Sequence, residues 1–145
     1  MSGIVVGVDG SVHARRALDW AMREAAVRDE ELCVLTVNPA QSSPWTGHQL
    51  TVPGEAQVLE RARDAVQEAI TEAAGKIGPR QPASVSVRAF SGSPAKALIE
   101  ASRSADMLVI GSRGTGGFES LLLGSISTQV THHAACPVVI VPSDR

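Results

Sequence analysis

The residues Gly111 to Ser127 read GSRGTGGFESLLLGSIS, and their types and spacing suit the holding of an anion. Gly111 and Gly114 are followed, after nine intervening residues, by Gly124-Ser125 at an expected helix start. Glycine lets backbone amides approach a ligand closely, and successive amides can form an anion-holding nest. Gly124 and Ser125 would stand at the positive end of the last helix, with the Ser125 hydroxyl beside them. A phosphate site and a flexible turn both fit this pattern. It is not a Walker A loop, because G-x-x-x-x-G-K-[ST] is absent, and the first apolar run is followed by DGSVHA rather than G-x-G-x-x-G.

Asp9 is the other residue placed for binding. A carboxylate at the carboxyl end of a central strand suits a ribose diol, and it can also simply cap a turn. Asp9, Ser11 and His13 do not make a catalytic triad: residues this close at a strand-helix junction do not readily form a nucleophile-base-orienter chain. His132 and His133 adjoin in one helix and point in different directions, and with His48 isolated they form a poor metal constellation. Cys33 and Cys136 stand far apart beside valines, without a C-x-x-C pair, and are expected to be buried small hydrophobes. Gly7 and Gly10 would allow close passage of chain or ligand.

These groups need a scaffold, and the chain supplies alternating strand and helix patterns. Gly3 to Asp9 is a nearly continuous apolar run, as in a strand covered on both faces. Ser11 can cap a helix in which Leu18, Ala21, Met22 and Ala25 recur at helical spacing. Glu31 to Asn38 predicts a second strand, and Pro39 to Gly54 a long proline-punctuated loop containing Trp45. Glu55 to Ile77 predicts a longer amphipathic helix ended by GPRQP. Ala83 to Phe90 alternates like an edge strand, and Ser93-Pro94 opens a third helix as N-cap and first residue. Ala105 to Gly111 predicts a central strand, about Ser125 to Ala134 a short helix, and Cys136 to Pro142 the last strand. Trp20 is expected to pack between helix and sheet.

Five strands with helical crossovers predict an α/β domain. Its sheet is expected to be open and parallel, with helices on both faces and strand order 3-2-1-4-5, a Rossmann-like fold. The first and fourth strands each lead through a glycine-containing loop to a helix, which predicts a ligand crevice between Asp9 and Gly111.

At 145 residues the chain is expected to form one domain, residues 1–145, with one sizeable core. Hydrophobic residues make up 43% and charged residues 19%, too apolar for a disordered chain. With a formal net charge of -2 and no basic run, a large nucleic-acid surface is not expected. No apolar run reaches the roughly twenty residues that cross a bilayer, and no basic region precedes the first apolar run, so neither membrane insertion nor a signal peptide is expected. The expected location is the cytoplasm.

Several linked motifs, in order, resemble those of the universal stress protein family in its small single-domain form. They run from IVVGVDGS through LTV and DMLVIGSRGTGG to LLLGSISTQVTHHAACPVVIVP, and so span essentially the whole chain. The resemblance implies an ATP-binding regulatory domain that works as a homodimer. By position, Asp9 would bond ribose hydroxyls and the Val37 backbone would meet the adenine edge. Gly111 and Gly114 would turn the backbone around ribose and phosphates, while Gly124, Ser125 and the Ile126 amide would cradle the phosphate tail. Gly7, Val8 and Ile110 complete the candidate nucleotide contacts, together with Arg113, whose side chain could reach phosphate or stay in solvent. Mg2+ or Mn2+ would accompany the triphosphate, held mainly by phosphate oxygens and water. The proline-flanked strand Pro137-Pro142 would pair antiparallel with its copy across a two-fold axis, with Phe118 and Leu121 to Leu123 either anchoring their loop or meeting the second subunit. Other protein partners are expected but not identified. Two alternatives stand beside this reading: a slow ATPase or nucleotidyl-transfer relative, and a structural or dimerisation module that binds no ATP or another adenosine nucleotide such as cyclic AMP.

Overall fold

The apolar runs of the sequence become strands covered on both faces. The computed structural model describes residues 3–39, 54–112 and 124–142. In chain order the elements are β1 (Ile4–Val8), α1 (Val12–Arg28), β2 (Glu31–Pro39), α2 (Glu55–Lys76) and β3 (Ser84–Gly92). They continue with α3 (Pro94–Ser102), β4 (Met107–Gly111), α4 (Ser125–His133) and β5 (Val138–Val141). The sheet is parallel throughout in the order β3-β2-β1-β4-β5, the expected Rossmann-like arrangement. No helix among the described residues is long and apolar enough to cross a membrane.

Period-two alternation sorts the strand side chains into two cores. Ile4, Val6, Leu32, Val34 and Val109 pack on one face with Leu18 and Met22 of α1 and Val66 and Ile70 of α2. Val5, Cys33, Leu35, Leu108 and Ile110 pack on the other with Ala95 and Leu98 of α3 and Val130 of α4. Burying one such large side chain stabilises the fold by about 1.5–3 kcal/mol. The exposed ion pairs between α1 and α2, Arg15–Glu72 at 2.8 Å and Lys76–Asp19 at 3.4 Å, are of a kind that contributes about 0–1 kcal/mol each. Apolar contact therefore holds this helix pair together. Trp20 is half-buried against the same core.

Local signals set the helix ends. The Ser11 hydroxyl accepts from the Ala14 N–H at 3.2 Å, and Ser93 accepts from the Lys96 N–H at 3.3 Å with Pro94 following it. Helix α1 ends at Asp29, whose left-handed backbone (φ 53°) returns its N–H to the carbonyls of Ala25 and Ala26. At α4 the cap is Gly124 and Ser125 is the first helical residue, so the Ser125 hydroxyl does not serve as N-cap.

The edges behave differently from the centre. Strand β3 lies at one edge and alternates exposed with half-buried residues along its first half, as expected. The expectation of two buried cysteines holds for Cys33, 3% exposed, and fails for Cys136, which is half-buried. Cys136 leads into β5, an edge strand with less structure around it.

The chain runs outward from β1 to β3 and then places β4 and β5 on the other side of β1. Connections leaving the carboxyl ends of β1 and β4 diverge, and a crevice opens between them. A reciprocal clamp aligns these strands at their other end: Gly3 N–H donates to Asp106 Oδ2 at 2.8 Å, and Asp106 N–H donates to the Gly3 carbonyl at 2.8 Å.

Candidate functional site

A cavity of about 410 Å3 occupies this crevice, a size typical of small-molecule sites. Gly7, Val8, Asp9, Val37, Ile110, Gly111, Gly124, Ser125 and Ile126 all line it, so the fold gathers these nine candidates from four elements and their ends. Arg113 and Gly114 lie outside the described residues. So do Trp45, His48, Phe118, Glu119 and Leu121 to Leu123, and the long loop is described only at its ends, Pro39 and Gly54.

Asp9 ends β1 on an exposed turn, where its Oδ1 accepts from the Ser11 N–H at 2.9 Å. The next residue, Gly10, has φ +85°, a conformation that L side chains rarely adopt, and it turns the chain back into α1. Gly7 serves packing inside the crevice. A Cβ there would stand 2.8 Å from Leu98 Cδ2, so α3 sits as close to β1 as the absence of a side chain allows.

The opposite wall is the start of α4. Ser127 Oγ, 5% exposed, donates to the Gly111 carbonyl at 2.7 Å and ties the first turn of the helix to the end of β4. The Gly124 N–H donates to the Ser112 carbonyl at 2.7 Å, and the Ser112 N–H donates to the Val141 carbonyl at 3.0 Å. Gly124 therefore offers the cavity bare backbone, its own amide being engaged. Unlike α1 and α3, α4 has no side-chain cap. Gly124, Ser125, Ile126 and Ser127 line the cavity, so the positive end of α4 borders it.

The sequence reading missed part of the lining. Pro94 and Leu98 come from α3, Ala62 from α2, and Thr36, Asn38 and Pro39 from β2. The glycine inside the first strand was a usable signal for α3, because a strand glycine marks close approach of another segment. Asp9 is the one charged side chain among the described lining residues, and no group of three His, Cys, Asp or Glu that could hold a metal ion occurs among the described residues. His132 and His133 sit in the last turn of α4 with ring centroids 6.4 Å apart. Burial pushes the Cys136 thiol pKa up, and the charge of Asp106 adds to the shift.

Residues 1–142 match the model of the universal stress protein family. A universal stress protein of Mycolicibacterium smegmatis is 38% identical over 143 residues, which is 98% of this chain and 48% of that protein. The chain spans about half the length of the curated relatives it matches. Among solved structures, the universal stress protein UspA from Lactobacillus plantarum superposes with a TM-score of 0.72 at 22% identity, covering 97% of each chain. A universal stress protein in complex with cAMP superposes with a TM-score of 0.68 at 28% identity, covering 99% of this chain and 98% of its own.

Proposed function

The chain belongs to the universal stress protein family, and from that premise we propose that residues 1–145 form one nucleotide-binding domain that takes ATP in the crevice and acts in stress response or signalling. One observation carries the reading: the N-terminus of α4, whose N-cap Gly124 makes no side-chain cap bond, lines the same cavity as Asp9 and the end of β2 at Val37. Strands β2, β1 and β4 are neighbours in that order in the sheet, and base, ribose and phosphate are assigned to their ends in the same order. In this assignment the amides of Ser125 and Ile126 hold phosphate oxygens, the Asp9 carboxylate accepts from ribose hydroxyls, and the Val37 backbone meets the adenine edge. An ionised carboxylate has room for several donors, so the bond from Ser11 is compatible with this role. Gly7, Val8, Ile110 and Gly111 shape the floor, and Arg113 and Gly114 belong to the intervening loop.

A Mg2+ or Mn2+ ion would neutralise triphosphate charge. Asp9 is the one carboxylate among the described lining residues, so phosphate oxygens and water would supply most of its ligands. A second reading, a cyclic adenosine monophosphate, has its own support. The described lining contributes no lysine or arginine, and a helix end equivalent to about half a charge suits a singly charged phosphodiester. The relative solved with cAMP also points to that ligand.

The second part of the proposal is a homodimer through β5. This short edge strand, Val138–Val141, is flanked by Pro137 and Pro142 and holds three half-buried apolar residues. Antiparallel pairing with a second copy would cover its open ladder.

Native mass spectrometry of freshly purified protein, with calorimetric titration of ATP and cAMP, tests both parts. Bound adenosine nucleotide and a mass of two chains are expected. Failure of both nucleotides to bind up to millimolar concentration would overturn the ligand reading, and a monomer at micromolar concentration in light scattering would overturn the dimer.

A further inference from the structure

Strand β2 brings one side-chain amide to the crevice. Asn38 lines the main cavity beside Val37 and is the one carboxamide among its described lining residues. Pro39, which follows it, disfavours helical backbone at Asn38 and keeps this residue extended at the end of the ladder. Strand alternation then sets the two neighbours apart. Val37 packs with the α3/α4 core, while Asn38 falls on the face of Val34, toward α1 and α2. The ladder partner of Asn38 on β3 is Ser91, which shares that face with Val87. Ser91 is half-buried, and its Oγ is buried with no hydrogen-bond partner. A buried hydroxyl in that condition is unfavourable and calls for a group that completes it. Neighbouring strands lie about 4.8 Å apart, so a change of rotamer at Asn38 can bring its amide within reach of Ser91.

We infer that Asn38 reads the base of the bound nucleotide: its Oδ1 accepts from the N6 amino group of adenine and its Nδ2 donates to N7. The Ser91 hydroxyl donates to the second lone pair of Oδ1 and holds the amide in place. The inference rests on the proposed placement of the base at Val37, one residue away. The adenine amino group has two hydrogens, so one serves the Val37 backbone and the other Asn38. On this edge adenine presents a donor beside an acceptor, and a carboxamide carries the complementary acceptor and donor. Guanine presents two acceptors there, O6 and N7, and one of them would face Oδ1. Among the other polar side chains of the lining, Ser127 is engaged with the Gly111 carbonyl. Asn38 is therefore a specificity-determining residue, and Ser91 a positioning residue that acts through it.

The probes are ATP, GTP and 7-deaza-ATP, which keeps the amino group and lacks the N7 acceptor. Each is titrated by calorimetry into the wild-type protein, Asn38→Ala, Ser91→Ala and the double variant. Wild type should bind 7-deaza-ATP about 5- to 10-fold more weakly than ATP, since one hydrogen bond is lost and its donor left unpaired. In Asn38→Ala the two should bind alike, and the preference for ATP over GTP should fall about tenfold. Ser91→Ala should lower the preference for ATP over 7-deaza-ATP about threefold, and should lower it no further in the Asn38→Ala background. In the free protein Ser91→Ala removes no hydrogen bond, so its Tm should be unchanged or raised. A hydroxyl with a merely structural role would do the reverse, lowering Tm and keeping the base preference, and that result would overturn the role of Ser91. Equal binding of ATP and 7-deaza-ATP by wild type, or a preference that survives Asn38→Ala, would overturn the assignment of Asn38 while the nucleotide reading stands. If ATP does not bind at all, the ATP reading falls and this inference falls with it.

Discussion

Replacing Ser125 by Asp sets the demands of a helix against those of a ligand. The new carboxylate would stand at the first residue of α4, where no side chain caps the helix. An anion at a helix N-terminus contributes about 0.3–1 kcal/mol, which for a domain of this size corresponds to a rise in Tm of about 1–4 °C. A phosphate held by the first-turn amides would neighbour that carboxylate, at a separation on the order of 5 Å for charges on adjoining groups. Two like charges at this distance repel by about 0.8 kcal/mol in water and about 3 kcal/mol at an effective dielectric of 20. Ser125 is exposed, so the lower half of this range applies, about 1–2 kcal/mol for each nearby phosphate charge. Nucleotide affinity should fall about 5- to 30-fold. The loss should be larger for ATP than for cAMP and should shrink in added salt, because the site is open to solvent. Ser125→Ala, which adds no charge, should cost much less. The assay is calorimetric titration of both nucleotides, paired with thermal denaturation of the free protein. A variant with raised Tm and unchanged affinity for both nucleotides would refute the placement of phosphate at α4, whatever else the crevice binds.

Three further expectations follow from the packing. Ser102, 1% exposed, donates to the Ile99 carbonyl and accepts from the Ala135 N–H at 2.9 Å. Ser102→Ala should therefore lower the unfolding free energy by about 1–3 kcal/mol, seen as an earlier urea midpoint, and an unchanged midpoint would deny these bonds a structural role. Gly7→Ala should press on Leu98, whose Cδ2 stands 2.8 Å from the added carbon, at a cost of about 1–3 kcal/mol. Because Leu98 also lines the crevice, nucleotide affinity should drop as well; full stability and affinity would show that α3 yields freely. The Cys136 thiol pKa is pushed up by burial and by Asp106, so less thiolate is present near neutral pH. Its alkylation, followed by mass spectrometry, should be slower than that of a free thiol at pH 8 and reach its maximum at higher pH, while buried Cys33 stays protected until unfolding. Equal rates for Cys136 and free cysteine would contradict the shift.

Much of the fold was legible because it is written in local chemistry. The apolar run at Ile4–Val8 and its partner Met107–Gly111 announce strands with no exposed face, and the weaker alternation of Ser84–Gly92 announces an edge. The caps at Ser11 and Ser93 were readable because a short hydroxyl before a helical pattern has one favourable use. The start of α4 at Gly124-Ser125 was readable as well, from a glycine and serine placed just before a helical pattern. Cys136 was misjudged as buried because an apolar strand reads alike at the centre and the edge of a sheet.

The site divides in the same way. Asp9, Gly111, Gly124 and Ser125 could be named in advance because strand ends and glycine spacing mark where backbone and carboxylate become available to a ligand, and Val37 because of the family resemblance; all five line the cavity. The Ala62, Pro94 and Leu98 walls and the engagement of the Gly124 amide with Ser112 came only with the folded chain. Periodicity determines which face a residue presents, and it is encoded within a few positions. Which helix covers that face, how closely, and whether a polar group finds a partner there depend on contacts between segments far apart in the chain, and those are decided by how the helices and strands pack together.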